Sequence, residues 1–202
     1  MNDINENNKA DHILVDRVLS GDTNAFSIII SNTERLVAQI VFKMIPNNED
    51  KKDIAQDIYL KTFQKLRSFK FQSNLSTWIA QIAYNTCINH LEKKKLLIIE
   101  NNNDDDESDE ALEIMNKIIN PFSNETEKYI FNKELSEILK REIDKLSPVY
   151  RTLITLYHNE GLSYSEIAEI AELPEGTVKN YLFRARKTLR NNLLLTYKRE
   201  VS

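Results

Sequence analysis

Glycine, proline and cysteine are scarce in this chain, with three Gly, four Pro and a single cysteine, Cys87, among 202 residues. So few turn formers exclude a sheet protein built on many tight turns. One cysteine excludes an intrachain disulfide and suits a reducing compartment. The opening stretch MNDINENNKADH lacks the apolar core of a signal peptide. No apolar run approaches the ~18 residues of a membrane span, which predicts no direct membrane insertion and a cytoplasmic location. His12, His90 and His158 are scattered without metal-ligand spacing. There is no Gly-rich phosphate loop and no Ser or Cys in a nucleophile setting. The expectation is a protein with no catalytic residues, no metal and no cofactor.

What the chain does have is Leu, Ile, Glu, Lys and Ala at helical spacing. With 41% hydrophobic and 29% charged residues, this predicts an all-α globular protein. Residues 1–10 read as a disordered tail. Apolar periodicity then begins and is interrupted at SGDTN, where Gly21 ends a first helix and Asp22 or Thr23 caps a second. Pro46 and NNED stop the second helix and start a third. Over residues 51–67, Ile54, Ala55, Ile58, Tyr59, Thr62, Phe63 and Leu66 form one apolar stripe. FKFQSNLS, residues 69–76, reads as a loop. A fourth helix follows with Leu75, Trp78, Ile79, Ile82, Ala83, Thr86 and His90 on its buried face, and Trp78 and Cys87 are read as packing residues. Its other side carries Gln81, Tyr84, Asn85, Ile88, Asn89 and Lys93, with Tyr84 and Ile88 expected to be exposed.

From Asp104 to Glu113 there are seven acids and no base. Like-charge repulsion and polarity predict a solvated, flexible acidic linker over 96–133. Asp104–Asp109 lacks the Gly turn and terminal Glu of a calcium loop, which argues against a metal site there. After it, EKYIFNKELSEILKREIDKL is an amphipathic helix stopped at Ser147-Pro148, followed by a short helix 149–158 and the stretch 161–195. The predicted architecture is two small helical domains, 11–95 and 134–202, joined by the acidic tether.

The second domain contains the parts of a helix-turn-helix. Ser163 and Glu166 have capping-box spacing. Ile167, Ala168 and Ala171 form a small-residue buried side, Leu173 plugs the turn, and Pro174 suits the first turn of the next helix. That helix buries Val178, Tyr181, Leu182, Ala185 and Leu189, which turns Gly176, Asn180, Phe183 and Lys187 outward, flanked by Lys179, Arg184 and Arg190. The formal net charge of the chain is -4, yet residues 176–199 carry seven bases and no acid, whereas 160–175 carry five glutamates and no base. The helix macrodipole favours bases only in the last turn, so Lys179 and Arg184 point to a nucleic-acid partner.

SYSEIAEIAELPEGTVKNYLFRARKTL resembles the fourth conserved region of bacterial sigma factors of the extracytoplasmic-function (ECF) type. GDTNAFSIII, DIAQDIYLKTFQKL and LSTWIAQIAYNTCINHLEKKK resemble, in order, the start, middle and end of the second conserved region. A helix-turn-helix alone is weakly specific, whereas the ordered pair of blocks is strongly specific. The likeness spans about 11–95 and 134–195 and puts the acidic stretch at the family's variable linker.

The resemblance implies an initiation factor with a region 2-like bundle and a region 4-like helix-turn-helix. Asp53, Gln56, Asp57, Leu60 and Gln64 would dock on RNA polymerase. The loop residues Phe71, Gln72, Ser73, Asn74, Ser76 and Thr77 would capture a flipped −10 base by stacking and edge hydrogen bonds. Gln81, Tyr84, Asn85, Ile88, Asn89 and Lys93 would join that −10 reading, although Asn89 stands where the family often carries an acid. Glu175, Gly176, Thr177, Lys179, Asn180, Phe183, Arg184, Lys187 and Arg190 would contact the −35 element. The implied partners are core RNA polymerase, duplex −35 and single-stranded −10 promoter DNA, and an anti-sigma factor. The alternative is a transcription regulator whose helix-turn-helix resembles that of LuxR-type activators. It leaves the first block without a role.

Overall fold

The computed structural model describes residues 2–95 and 136–200. Helix α1 (Asn2–Leu19) ends before Gly21, whose φ of +98° is left-handed and free of a Cβ clash. It begins inside the segment expected to be a disordered tail. Val15 and Val18 anchor it in the core, and each residue added to a nucleated helix gains a bond without a new nucleation penalty. Asp22 caps α2 (Thr23–Met44) by accepting from the backbone N–H groups of Asn24 and Ala25. Arg17 holds the same carboxylate at 2.7 Å. The Arg17 bond first, and the Ala25 N–H second, hold the Asp22 carboxyl below the usual range.

Helix α2 is the centre of the first group of helices. By length and composition its 22 residues are apolar enough to cross a membrane, contrary to the expectation that no segment reaches that measure. Its buried residues, among them Ala25, Ile29, Val37, Ile40, Val41 and Met44, recur at three- and four-residue steps and face the protein core.

Helix α3 (Asn48–Lys65) starts at the Asn47 cap and runs into a single 3-10 turn (Leu66–Ser68). Ile54, Ile58 and Thr62 are buried, as is Leu66. Phe63 departs from the predicted stripe and is 50% exposed. Each four-residue step advances about 40° around a helix, so the row Ala55–Tyr59–Phe63 drifts out of the interface. Phe63 packs edge-on against Phe26 at 5.1 Å instead.

Helix α4 (Leu75–Lys95) is enclosed on nearly all sides from Leu75 to Cys87. The second group comprises α5 (136–145), α6 (Pro148–His158), α7 (Tyr164–Ala171) and α8 (Glu175–Glu200). Ser147 caps α6, with Pro148 at the N-terminal position where a missing N–H is harmless. The predicted linker 96–133, with Asp104–Asp109 and the first part of the helix predicted after it, lies outside the described residues.

The two groups pack face to face, α2 against α6 and α4 against α7. One apolar core runs through both, from Val15 in α1 to Ala185 in α8. Polar contacts seal the seam. Arg151 Nε donates to the Lys43 carbonyl at 2.6 Å and its Nη1 to the Asp144 carbonyl at 2.8 Å. Lys43 pairs with Asp144 at 3.0 Å, and Arg35 with Glu160 at 3.3 Å.

Candidate nucleic-acid interface

The helix-turn-helix is built by local chemistry. Ser163 Oγ accepts from the Glu166 N–H, and the Glu166 carboxylate accepts from the Ser163 N–H at 2.8 Å, so both halves of the capping box form. Helix α7 ends at Glu172, whose φ of +52° is left-handed. The Leu173 N–H then bonds the Ala168 carbonyl at 3.1 Å and half-buries Leu173 in the turn. Pro174 sits one position before α8 rather than in its first turn. Its carbonyl accepts from the N–H groups of Thr177 and Val178 and so starts the helix. Val178, Leu182 and Ala185 are fully buried, while Tyr181 and Leu189 are half-buried. Ile170, missing from the predicted buried side of α7, is also fully buried because α4 covers that side.

The opposite face of α8 is open. Glu175, Gly176, Lys179, Asn180 and Arg184 are exposed, Phe183 is 65% exposed, and Thr177, Lys187 and Arg190 are half-buried. Glu175 pairs with Lys179 at 2.7 Å, which pushes the Lys179 ammonium up from its usual value. Two tyrosines beside this face, Tyr157 and Tyr164, have no local sequence signal that marks them. Tyr157 and Tyr164 stack at 4.9 Å, the Arg186 guanidinium lies 4.9 Å over the Tyr157 ring, and Lys179 Nζ lies 5.6 Å over Tyr164. The hydrogen bond from Tyr157, then one from Arg186, lowers the Tyr164 phenol. Arg186 is visible in the sequence as one of the basic run, but periodicity assigns it to neither face.

On α3, Asp53, Gln56, Leu60 and Gln64 are exposed, and Asp57 is half-buried and paired with Lys61 at 2.7 Å. They share one outward strip of the helix. Leu60, at 56% exposed, supplies an apolar centre to it.

The loop after α3 divides its residues between two cavities. Gln72, Ser73 and Thr77, with Gln81 from α4, line one of about 310 Å³ together with Phe69, Lys70, Trp78 and Glu169. That volume lies at the lower end of the range for small-ligand pockets. Asn74 and Ser76 line another of about 260 Å³ beside Asp11. Phe71 lines neither; its φ is +56° and its ring stacks on His12 at 3.5 Å. Asp11 accepts from the Leu75 N–H at 2.9 Å and so anchors the start of α4, a long-range cap that no local pattern reveals. Trp78, read as packing, is half-buried and forms part of the first cavity's wall.

Further along α4 the structure corrects the expected exposure. Tyr84 is only 4% exposed, and burial first, then Tyr181, push its phenol up to about 12. Thr77 is buried and Ile88 half-buried, while Asn89 and Lys93 are exposed. Gln81, Asn85 and Asn89 border a third cavity, of about 320 Å³, whose wall includes Lys61, Lys65 and Glu172. The cause is tertiary: α7 lies on the side of α4 that periodicity leaves to solvent. Among the described residues no cluster of His, Cys, Asp and Glu is arranged to hold a metal.

Residues 29–96 match the family Sigma-70 region 2, and residues 136–189 match Sigma-70, region 4. The chain is 34% identical over 185 residues to the ECF RNA polymerase sigma-E factor of Escherichia coli (strain K12), covering 91% of this chain and 94% of that protein. It is 33% identical over 183 residues to the Haemophilus influenzae ECF RNA polymerase sigma-E factor, covering 91% and 95%. Among solved structures it resembles CnrH in complex with the cytosolic domain of CnrY, with a TM-score of 0.60 and 20% identity, covering 91% of this chain and 97% of that one. It also resembles the sigma factor RpoE of Bartonella quintana in complex with the anti-sigma factor NepR, with a TM-score of 0.58 and 20% identity, covering 83% and 96%. With region 2 and region 4 matched in order and full-length relatives above 30% identity, the chain belongs to the extracytoplasmic-function family of RNA polymerase sigma factors.

Proposed function

We propose that this protein binds core RNA polymerase and directs promoter-specific initiation, with no catalytic activity of its own, in the cytoplasm. The observation that carries the reading is the presence of both sigma regions, in order, in a chain aligned over 91% of its length with ECF sigma factors. A stand-alone helix-turn-helix regulator leaves residues 29–96 without a role.

Each surface has a physical task in this reading. The strip Asp53, Gln56, Asp57, Leu60 and Gln64 docks on polymerase through an apolar centre ringed by polar groups, the usual anatomy of an interface. The cavity beside Gln72, Ser73, Thr77 and Gln81 takes a −10 base once it leaves the stack, with Trp78 and Phe69 in its wall and amide and hydroxyl groups for its edge. Asn85, Asn89 and Lys93 continue that track along α4, and Tyr84 and Ile88 join it when α7 moves off them. Phe71, Asn74 and Ser76 shape the loop. On α8, Gly176, Thr177, Asn180 and Phe183 meet base edges in the major groove, N-terminal end first, while Lys179, Arg184, Lys187 and Arg190 hold phosphates. Glu175 sets the position of Lys179 through their ion pair.

The net charge of -4 makes the free chain a poor DNA binder and ties recognition to the polymerase-bound state. By likeness to the complexes with CnrY and NepR, an anti-sigma factor is a further partner. Run-off transcription with purified core polymerase over a random promoter library tests the reading. Start sites sharing two spaced elements are expected, and no gain over core polymerase alone refutes it.

A further inference from the structure

We propose that the cavity beside Asp11 is a pocket for a second unstacked base of the melted promoter strand, one that carries an exocyclic amino group (adenine or cytosine). The proposal rests on the sigma-factor reading and deepens it, since the cavity beside Gln72 and Gln81 takes the other base. The two cavities, of about 260 and 310 Å³, are comparable in size and share no lining residue. The loop divides them. Ser73 lines one and Asn74 the other, although consecutive Cα atoms are only ~3.8 Å apart. Neighbouring nucleotides of one strand can therefore enter on the two sides of a wall one backbone thick.

The chemistry of the lining selects the ligand. Leu14 and Ile29 supply an apolar wall, and Asp11, Asn32, Asn74 and Ser76 supply polar groups. Among the described residues no lysine or arginine lines this cavity, unlike the other two, and it holds a carboxylate. A phosphate is therefore repelled and a neutral base admitted. Asp11 Oδ2 accepts from the Leu75 N–H at 2.9 Å, which leaves Oδ1 to accept a second donor. An exocyclic amino group is such a donor, and a carboxylate pairs with it as with cytosine N4. The Asn32 and Asn74 amides each offer a donor and an acceptor, and Ser76 a hydroxyl, to the rest of the base edge. Thymine presents a carbonyl oxygen where these bases carry the amino group, so it meets Asp11 acceptor to acceptor. Consecutive residues of α1 fix the wall to the loop: Asp11 holds the Leu75 N–H, and His12 stacks on Phe71 at 3.5 Å.

Asn32→Leu on α2 and Ala10→Leu on α1 fill the cavity from two different helices. Both native side chains are exposed, so either variant serves should the other fail to fold. Run-off transcription by the holoenzyme over a library randomised across the melted strand should show a wild-type preference for adenine or cytosine at one position. Each variant should lose that preference by about tenfold and keep the neighbouring one, which Gln81→Ala should remove instead. At the same position an analogue without the amino group, purine for adenine or 2-pyrimidinone for cytosine, should cost wild type about tenfold and the variants nothing. Unchanged base preference in both variants, or a uniform loss at every position, overturns the proposal. The side-chain amide resonances of Asn32 and Asn74 give a readout independent of polymerase. In the free full-length chain they should shift with deoxyadenosine or deoxycytidine tetranucleotides and stay in place with the thymidine one; an equal response to all three, or none, also overturns it. Wild-type chain that fails to direct initiation by core polymerase would instead refute the sigma-factor reading, and the amide shifts would still decide the pocket.

Discussion

Leu182 and Phe183 are adjacent on α8, about 100° apart on the helix, and should fail in opposite ways. Leu182 is fully buried between α8 and its neighbours, whereas Phe183 is 65% exposed. Leu182→Ala removes three buried carbons, about 2.4 kcal/mol of transfer free energy at ~0.8 each, and leaves a cavity that brings the loss to about 3 kcal/mol. The apolar core is continuous through both helix groups, so the described chain should melt as one unit. At about 2–4 °C per kcal/mol for a protein of this size, Tm falls by roughly 6–12 °C. Phe183→Ala should leave stability within about 0.5 kcal/mol, as surface changes do. It should nonetheless lower promoter affinity about tenfold, the equivalent of ~1.4 kcal/mol of base recognition. Thermal denaturation followed by circular dichroism measures the first effect, and −35-dependent run-off transcription with core polymerase the second. Equal melting of Leu182→Ala and wild type, or full transcription by Phe183→Ala, would refute the assignment of the two faces of α8.

Other predictions address the remaining surfaces. Arg184→Ala with Lys187→Ala should reduce the slope of log affinity against log salt for promoter DNA by about 0.9 for each phosphate no longer neutralised; an unchanged slope removes these residues from the DNA backbone. Leu60→Ala with Gln56→Ala should weaken capture by core polymerase with no change in Tm, since both side chains are exposed. Cys87 is fully buried, and burial pushes its thiol up to about 12, so a thiol reagent near pH ~8 should modify it only after unfolding. Burial first, and Arg186 second, hold the His158 imidazole below its usual value. The folded chain therefore favours neutral His158, and the stability this contributes is present above pH ~6.5 and lost as pH falls through the lowered pKa. Arg186→Gln should move the His158 titration upward in an NMR pH series.

Much of the local structure was legible because its causes are local. Asp22 and Ser163 cap the helices they precede, Gly21 takes the left-handed turn, and Glu166 closes the capping box, each within a few residues of its partner. The outward face of α8 follows from one helical period and the absence of acids from 176 to 199. Where periodicity missed, a second surface had intervened. One packing partner accounts for neither Tyr84 nor Ile170, and each meets two, because α4 and α7 lie on one another.

The sequence alone determined the all-α class, the helix boundaries that carry caps, and the two blocks by which the sigma family is recognised, since short-range sterics, hydrogen bonding and helical period are written into neighbouring residues. Only the tertiary structure decided that Phe63 stays outside the core and that Asp11 anchors α4 from 64 positions away. It also decided that Glu172, just past the end of α7, bonds Gln81 of α4 and that Glu169 borders the cavity lined by Lys70 and Trp78. Contacts between residues far apart in the chain depend on how whole helix faces dock, and no pattern within a single helix encodes which face another helix will take.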